Sequence, residues 1–372
     1  MTAQQPLQPA WDIFCKVVDN FGDIGVCWRL ARQLAEEQGV AIRLWVDDIV
    51  LAQRFAPEGH ADVDLQHWTE QADFSVAATV VIETFSCGLP ERYQQLMTPQ
   101  SIWLNIEYLS AEAWVEGFHG RPSPQANGLV RYFFYPGFSP LTGGLLREKF
   151  LPQLQQQAAQ SPDAIWQHLG LQPKSEAINI SLFCYAHAPV KALLDSLAVS
   201  PQAVRLIVPE SIALLVSQAL ECQPFQVGQS IQHQQCTIEV IPFLSQIDYD
   251  SLLAVCDLNF VRGEDSWIRA IWAAKPMIWL PYQQSEDTHL DKLNAFLKHY
   301  LMLANDEVKE TVVSMMQAWA NKEWAVQHWQ GWISHRQSTA AHAKTYAAQL
   351  SQQPDLATNL VIFIEKLRAI RV

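Results

Sequence analysis

The sequence predicts an α/β protein of two lobes, each a parallel sheet flanked by helices, and three observations carry that reading. At 372 residues the chain exceeds one typical core, and length alone favours about two domains. Hydrophobic residues make up 49% of it and charged residues 17%, the balance of a globular chain and not of an extended disordered one. Short apolar runs alternate with helical patterns in both halves, the order that builds parallel βαβ units.

In the first half, Ile13 to Val18 reads as a buried strand, and Asp19-Asn20-Phe21-Gly22-Asp23-Ile24-Gly25 as the loop that follows. A helix is predicted from Val26 to Gln38, because Val26, Leu30 and Leu34 share one face and Gly39 stands where a helix ends. Ala41 to Val46, Ala78 to Thr84 and Ser101 to Ile106 read as further strands, giving a first lobe over 1–150. From 151 to 175 the chain is rich in Gln and carries Pro152, Pro162 and Pro173, which reads as a linker region with a short helix at Ala164 to Leu169. The second lobe, 176–354, offers strands at Ala177 to Phe183, Val204 to Val208, Thr237 to Ile241, Asp257 to Val261 and Met277 to Leu280. The tail, 355–372, reads as a helix able to pack on either lobe.

A net charge of −13 disfavours nucleic acid as a partner, since phosphates call for Lys and Arg, and suits a basic protein partner better. Seven cysteines without a CxxC pair fit reduced thiols in the cytoplasm and give no zinc framework. The opening MTAQQPLQPAWDIF lacks the basic and apolar regions of a secretion signal, and no apolar run is long enough to span a bilayer, so a soluble protein without membrane attachment is expected. The 11 His residues show no HExxH or comparable spacing, and no metal is predicted. GxGxxG, GxxxxGK[ST] and GxSxG are absent, which weakens an NAD enzyme, a P-loop enzyme and a hydrolase.

Candidate chemistry collects where strands end. Asp19 and Asp23 lie four apart after the first strand, at the carboxyl edge where open α/β sheets bind ligands. Either can orient a nucleophile or accept its proton; equally, Asp23 can cap the following helix while Asp19 stabilises the turn. Gly22 and Gly25 are expected to let the loop turn tightly. In the second lobe, Phe183-Cys184-Tyr185 and Pro242-Phe243-Leu244-Ser245-Gln246 each follow a strand, and aromatic faces beside an amide suit a nucleobase. Arg262-Gly263-Glu264-Asp265-Ser266 forms a third such loop. Glu264 can hold ribose hydroxyls, and Asp265 and Ser266 at a helix start can place phosphates on backbone amides and a hydroxyl, or simply cap the helix.

Taken together, Asp19-Asn20-Phe21-Gly22-Asp23-Ile24-Gly25-Val26-Cys27-Trp28-Arg29-Leu30, Phe183-x-Tyr185, Phe243-x-x-Gln246 and Arg262-Gly263-Glu264-Asp265-Ser266 resemble the EarP family, the protein-arginine rhamnosyltransferases that modify bacterial elongation factor P. The resemblance implies a GT-B glycosyltransferase fold, two Rossmann-like lobes facing across a cleft, with the first receiving the acceptor protein and the second binding dTDP-β-L-rhamnose. It implies Asp19 and Asp23 as catalytic carboxylates, and a donor site of Phe183, Tyr185, Phe243, Gln246, Arg262, Glu264, Asp265 and Ser266, with Tyr249 near the base. No cofactor is implied beyond the nucleotide-sugar donor. Alternatives are a GT-B enzyme with another sugar or acceptor, a sugar-nucleotide epimerase, and a catalytically silent nucleotide-binding module.

Overall fold

A computed structural model describes residues 11–18, 21–57, 59–69, 71–283 and 288–371, and the chain divides into two units, 1–149 with 353–372, and 150–352. In the first unit the elements run β1 (Trp11–Cys15), α1 (Phe21–Gln38), β2 (Ile42–Val46), α2 (Ile49–Phe55), β3 (Val63–His67), β4 (Val80–Thr84), α3 (Glu91–Gln94), β5 (Ile102–Ile106), α4 (Trp114–Phe118), β6 (Pro122–Pro124) and β7 (Val130–Phe134). They form one sheet in the order β3-β2-β1-β4-β5-β7-β6, parallel except for the β6–β7 hairpin at its edge. Alternation along β1 explains why both faces are covered. Trp11, Ile13 and Cys15 join Ile24, Cys27 and Leu34 of α1 in one core, and Phe14 joins Trp45, Phe74 and Tyr93 in the other.

The second unit runs α5 (Leu151–Gln160), α6 (Pro162–His168), β8 (Ile178–Leu182), α7 (Val190–Ala198), β9 (Val204–Pro209), α8 (Glu210–Ala219), β10 (Ser230–His233), β11 (Cys236–Ile241), α9 (Gln246–Val255), β12 (Leu258–Arg262), α10 (Asp265–Trp272), β13 (Met277–Leu280), α11 (Thr288–Tyr300), α12 (Asp306–Ala320), α13 (Val326–Ser334) and α14 (Arg336–Leu350). Its sheet has the order β10-β11-β9-β8-β12-β13, again parallel apart from one edge pairing, β10 with β11. Four of the Trp side chains, Trp267, Trp319, Trp329 and Trp332, are among the largest fully buried groups here. Trp267 stacks on Trp279 at 3.7 Å with Phe296 edge-on to both, which locks α10 against β13 and α11.

The linker region and the start of α1 depart from the sequence-based expectation, whereas the tail, expected as a helix able to pack on either lobe, is a helix on the first. The stretch 151–175, read as a linker with one short helix, carries two helices, and both α5 and α6 pack against α9 as part of the second unit. Leu154, Ile165 and Trp166 supply the apolar face that Gln-rich composition concealed. The tail forms α15 (Leu356–Arg371) and lies on α1, where Leu356, Leu360 and Ile364 enter the first core and Gln33 donates to Asp355 at 3.1 Å. Lastly, α1 begins at Phe21, not Val26, so Gly22 and Gly25 sit inside a helix and make no tight turn. Each helical Gly costs about 1 kcal/mol, and burial of Ile24, Cys27 and Trp28 against the sheet outweighs that penalty.

Candidate functional site

Each sheet reverses its winding once; Asp23, Phe183, Tyr185 and the segment from Arg262 to Ser266 stand at those reversals, whereas Phe243 and Gln246 follow β11, two strands away. In the first unit β1 lies between β2 and β4, so the chain winds outward in both directions from the carboxyl end of β1. Asp23 stands there, in the first turn of α1, with only 2% of its surface exposed. Its Oδ2 accepts the Val18 backbone N–H at 2.7 Å and its Oδ1 accepts the Tyr108 hydroxyl at 3.3 Å. Asp23 therefore tethers the β1–α1 connection while keeping a carboxylate at the strand ends. Its predicted partner Asp19 lies outside the described residues.

Residues missed in the sequence surround this carboxylate. Tyr108 follows β5 and stacks face to face on Phe85, which follows β4, at 4.3 Å and 13°. Phe85 and Ser86 both adopt left-handed backbone angles, φ 55° and 54°. Asn105 and Glu107 brace that turn: Ser86 donates its N–H to Asn105 Oδ1 at 3.1 Å and its hydroxyl to Glu107 Oε1 at 2.9 Å. The signal was available, because Glu107 and Tyr108 directly follow the predicted strand ending at Ile106, the same position after a strand that singled out Asp19 and Asp23.

In the second unit the reversal falls between β8 and β12, with β9 and β11 on one side and β13 on the other. Phe183 and Tyr185 follow β8, and Arg262 ends β12. The Arg262 guanidinium lies 4.3 Å from the Phe183 ring centre and 4.7 Å from that of Tyr185, and donates to the Cys184 carbonyl at 3.1 Å. The aromatic pair expected to face a base thus also faces a cation that bridges the crevice. Tyr249 on α9 meets Phe183 edge-on at 6.0 Å, and burial, with Asp265 nearby, drives its hydroxyl pKa upward. Tyr249 supports Phe183 through that edge contact, with its hydroxyl buried. Tyr282, also missed in the sequence, meets Tyr185 edge-on at 5.8 Å.

Gly263 takes φ 58°, a left-handed angle that glycine adopts without a Cβ penalty, and turns the chain from β12 into α10. The Trp279 indole N–H donates to the Gly263 carbonyl at 2.8 Å. Ser266 accepts the Arg262 N–H at 3.0 Å and returns its own proton to the Arg262 carbonyl. The hydroxyl expected to reach a phosphate is therefore engaged in closing the turn, so of the donors expected for an anion only the first-turn amides of α10 remain. Glu264 precedes α10 as its N-cap residue, without a side-chain cap bond, and Asp265 opens the helix. Gln246 opens α9, whose N-cap Ser245 accepts the Asp248 N–H at 3.1 Å, and half-buried Phe243 precedes it. A bidentate ion pair, Arg269 to Asp250 at 2.9 and 2.8 Å, ties α10 to α9 with both residues buried.

Among the described residues, no group of three or more His, Cys, Asp or Glu is placed to hold a metal ion, and no helix is long and apolar enough to cross a membrane.

Two parallel α/β units, each with polar and aromatic residues collected at its sheet's reversal, define the GT-B class of glycosyltransferases. The fold is shared with spinosyn rhamnosyltransferase SpnG complexed with thymidine diphosphate, at TM-score 0.52 and 12% identity over 95% of this chain and 99% of that one. Residues 11–365 match the family described as Elongation-Factor P (EF-P) rhamnosyltransferase EarP, and the chain belongs to that family. A protein-arginine rhamnosyltransferase of Pseudomonas putida is 44% identical over 96% of this chain and 99% of the relative. A solved structure described as the structural basis for EarP-mediated arginine glycosylation of translation elongation factor EF-P is 34% identical, with TM-score 0.70 over 96% of this chain and 98% of that one.

Proposed function

We propose that this chain moves L-rhamnose from dTDP-β-L-rhamnose to an arginine side chain of elongation factor P, inverting the anomeric centre, in the cytoplasm and without a metal. The family match over residues 11–365 carries the reading. The first unit takes the acceptor at Asp23 and Asp19. The second takes the nucleotide sugar, with Phe183, Tyr185, Phe243 and Gln246 at the base and Glu264 at the ribose. The α10 start, at Asp265 and Ser266, takes the diphosphate, and Arg262 and Tyr249 support the aromatic wall.

Chemically, the acceptor is a poor nucleophile, since a guanidinium stays protonated to beyond about pH 12 and its lone pairs are delocalised. A carboxylate does not deprotonate it in advance. Asp23 instead grips the cation, with Asp19 orienting it, and takes the proton as the new C–N bond forms. The bond between the anomeric carbon and the diphosphate oxygen breaks on the opposite face, and its electron pair leaves with dTDP. Amides at a helix start favour that leaving charge.

The test incubates the purified chain with elongation factor P and dTDP-β-L-rhamnose and reads intact acceptor mass. One deoxyhexose on an arginine is expected, and Asp23→Asn should lower kcat by roughly 10²-fold or more while dTDP affinity stays unchanged. An unmodified acceptor beside a donor that binds would overturn the reading in favour of another acceptor or an epimerase.

A further inference from the structure

Backbone strain in the first unit points to a residue that nothing above assigns. Phe85 and Ser86 are consecutive non-glycine residues at positive φ, a conformation that persists only where surrounding bonds over-determine it. Those bonds are present. Phe85 donates its N–H to the Ile106 carbonyl at 2.7 Å, Ser86 bonds Asn105 and Glu107, and Asn105 Nδ2 donates back to the Ser86 hydroxyl at 2.9 Å. The product of the strained turn is a flat, half-buried Phe85 ring beneath Tyr108, and the Tyr108 hydroxyl reaches Asp23.

We propose that Tyr108 is the positioning residue of the Asp23 carboxylate, held in place by the Phe85 ring. The Val18 N–H fixes one carboxylate oxygen from the chain side, and Tyr108 sets the direction of the other. At 3.3 Å the second bond is longer than the usual O–H···O separation of about 2.7–2.8 Å, so it orients Oδ1 without competing strongly with an incoming cation. A carboxylate gripped on one side and steered on the other presents a defined edge to a planar guanidinium, and a misplaced edge costs rate before it costs binding. This inference rests on the acceptor role given to Asp23.

The experiment measures kcat, acceptor KM and calorimetric donor Kd for wild type, Tyr108→Phe, Phe85→Leu and the double variant. Tyr108→Phe keeps the stacked ring and should lower kcat about tenfold with both binding constants within about twofold, the pattern of an interaction that matters in the transition state. Phe85→Leu should lower kcat as well, and the double variant should fall no further than Tyr108→Phe, because the ring acts through the hydroxyl. A Tyr108→Phe kcat within twofold of wild type overturns the proposal, as do losses that multiply in the double variant. Should Tyr108→Phe fail to fold, wild-type kcat in Phe85→Leu overturns it equally. Absence of transfer by the wild type sinks the acceptor reading and this inference together. Transfer by the wild type and undiminished transfer by Tyr108→Phe sinks only the latter.

Discussion

Replacing Arg269 by Met should destabilise the second unit and weaken nucleotide binding together. The guanidinium meets Asp250 through two hydrogen bonds of 2.9 and 2.8 Å, and both side chains are at most 2% exposed. Removing one partner of such a pair strands a charge in a poorly solvating interior, a cost of about 3–5 kcal/mol. With a urea slope of roughly 3 kcal/mol per M, the unfolding midpoint should drop by about 1–1.7 M. The pair joins α9, which carries Gln246 and Tyr249, to α10, which carries Asp265 and Ser266, so dTDP affinity measured by calorimetry should weaken as well. Replacing both residues, Asp250→Leu with Arg269→Met, leaves no stranded charge and should recover most of the midpoint. A single variant within about 0.3 M of wild type, or a double variant no better than the single, would refute the reasoning, since an error of that size is far below the expected drop.

Ser266→Ala removes both bonds to the Arg262 backbone and should cost about 1–3 kcal/mol in urea unfolding, with several-fold weaker dTDP binding; an unaltered midpoint would mean that the turn closes without the hydroxyl. Acidification should destabilise the chain. Burial lowers the pKa of His119, His187 and His342 below the usual value of about 6.5, so their contribution is complete above that pH and is lost as pH falls through the lowered values. Urea midpoints at pH 7.5, 6 and 5 should therefore decline in order, and a flat series would contradict the assignment. Iodoacetamide at pH 7.5 should label exposed Cys222 in the native protein and spare Cys184 and Cys236, whose thiols burial pushes up to about 12; peptide mapping that finds Cys184 labelled before unfolding would count against its burial.

The sequence by itself determined the alternation of strands and helices, the two-lobe division and the family, because apolar periodicity and short motifs are local properties of the chain. Met277 to Leu280 identified its strand through an unbroken apolar run, whereas Ile13 to Val18 overlaps β1 only from Ile13 to Cys15, because the strand ends before Lys16. Edge strands such as β3 and β10 escaped, since half-exposed segments like Val63–His67 and Ser230–His233 lack that signature. Only the tertiary structure decided where α1 begins, because the value of burying Ile24 and Cys27 against a sheet is invisible beside two helix-weakening glycines. It also decided that α15 completes the first unit and that 151–175 belongs to the second, both settled by the face available to cover. The bond from Tyr108 to Asp23, its stack on Phe85 and the Arg262 bridge became visible only once parallel strands brought their carboxyl ends side by side, as residues from 23 to 108 and from 183 to 262 meet through sheet register and not through sequence spacing.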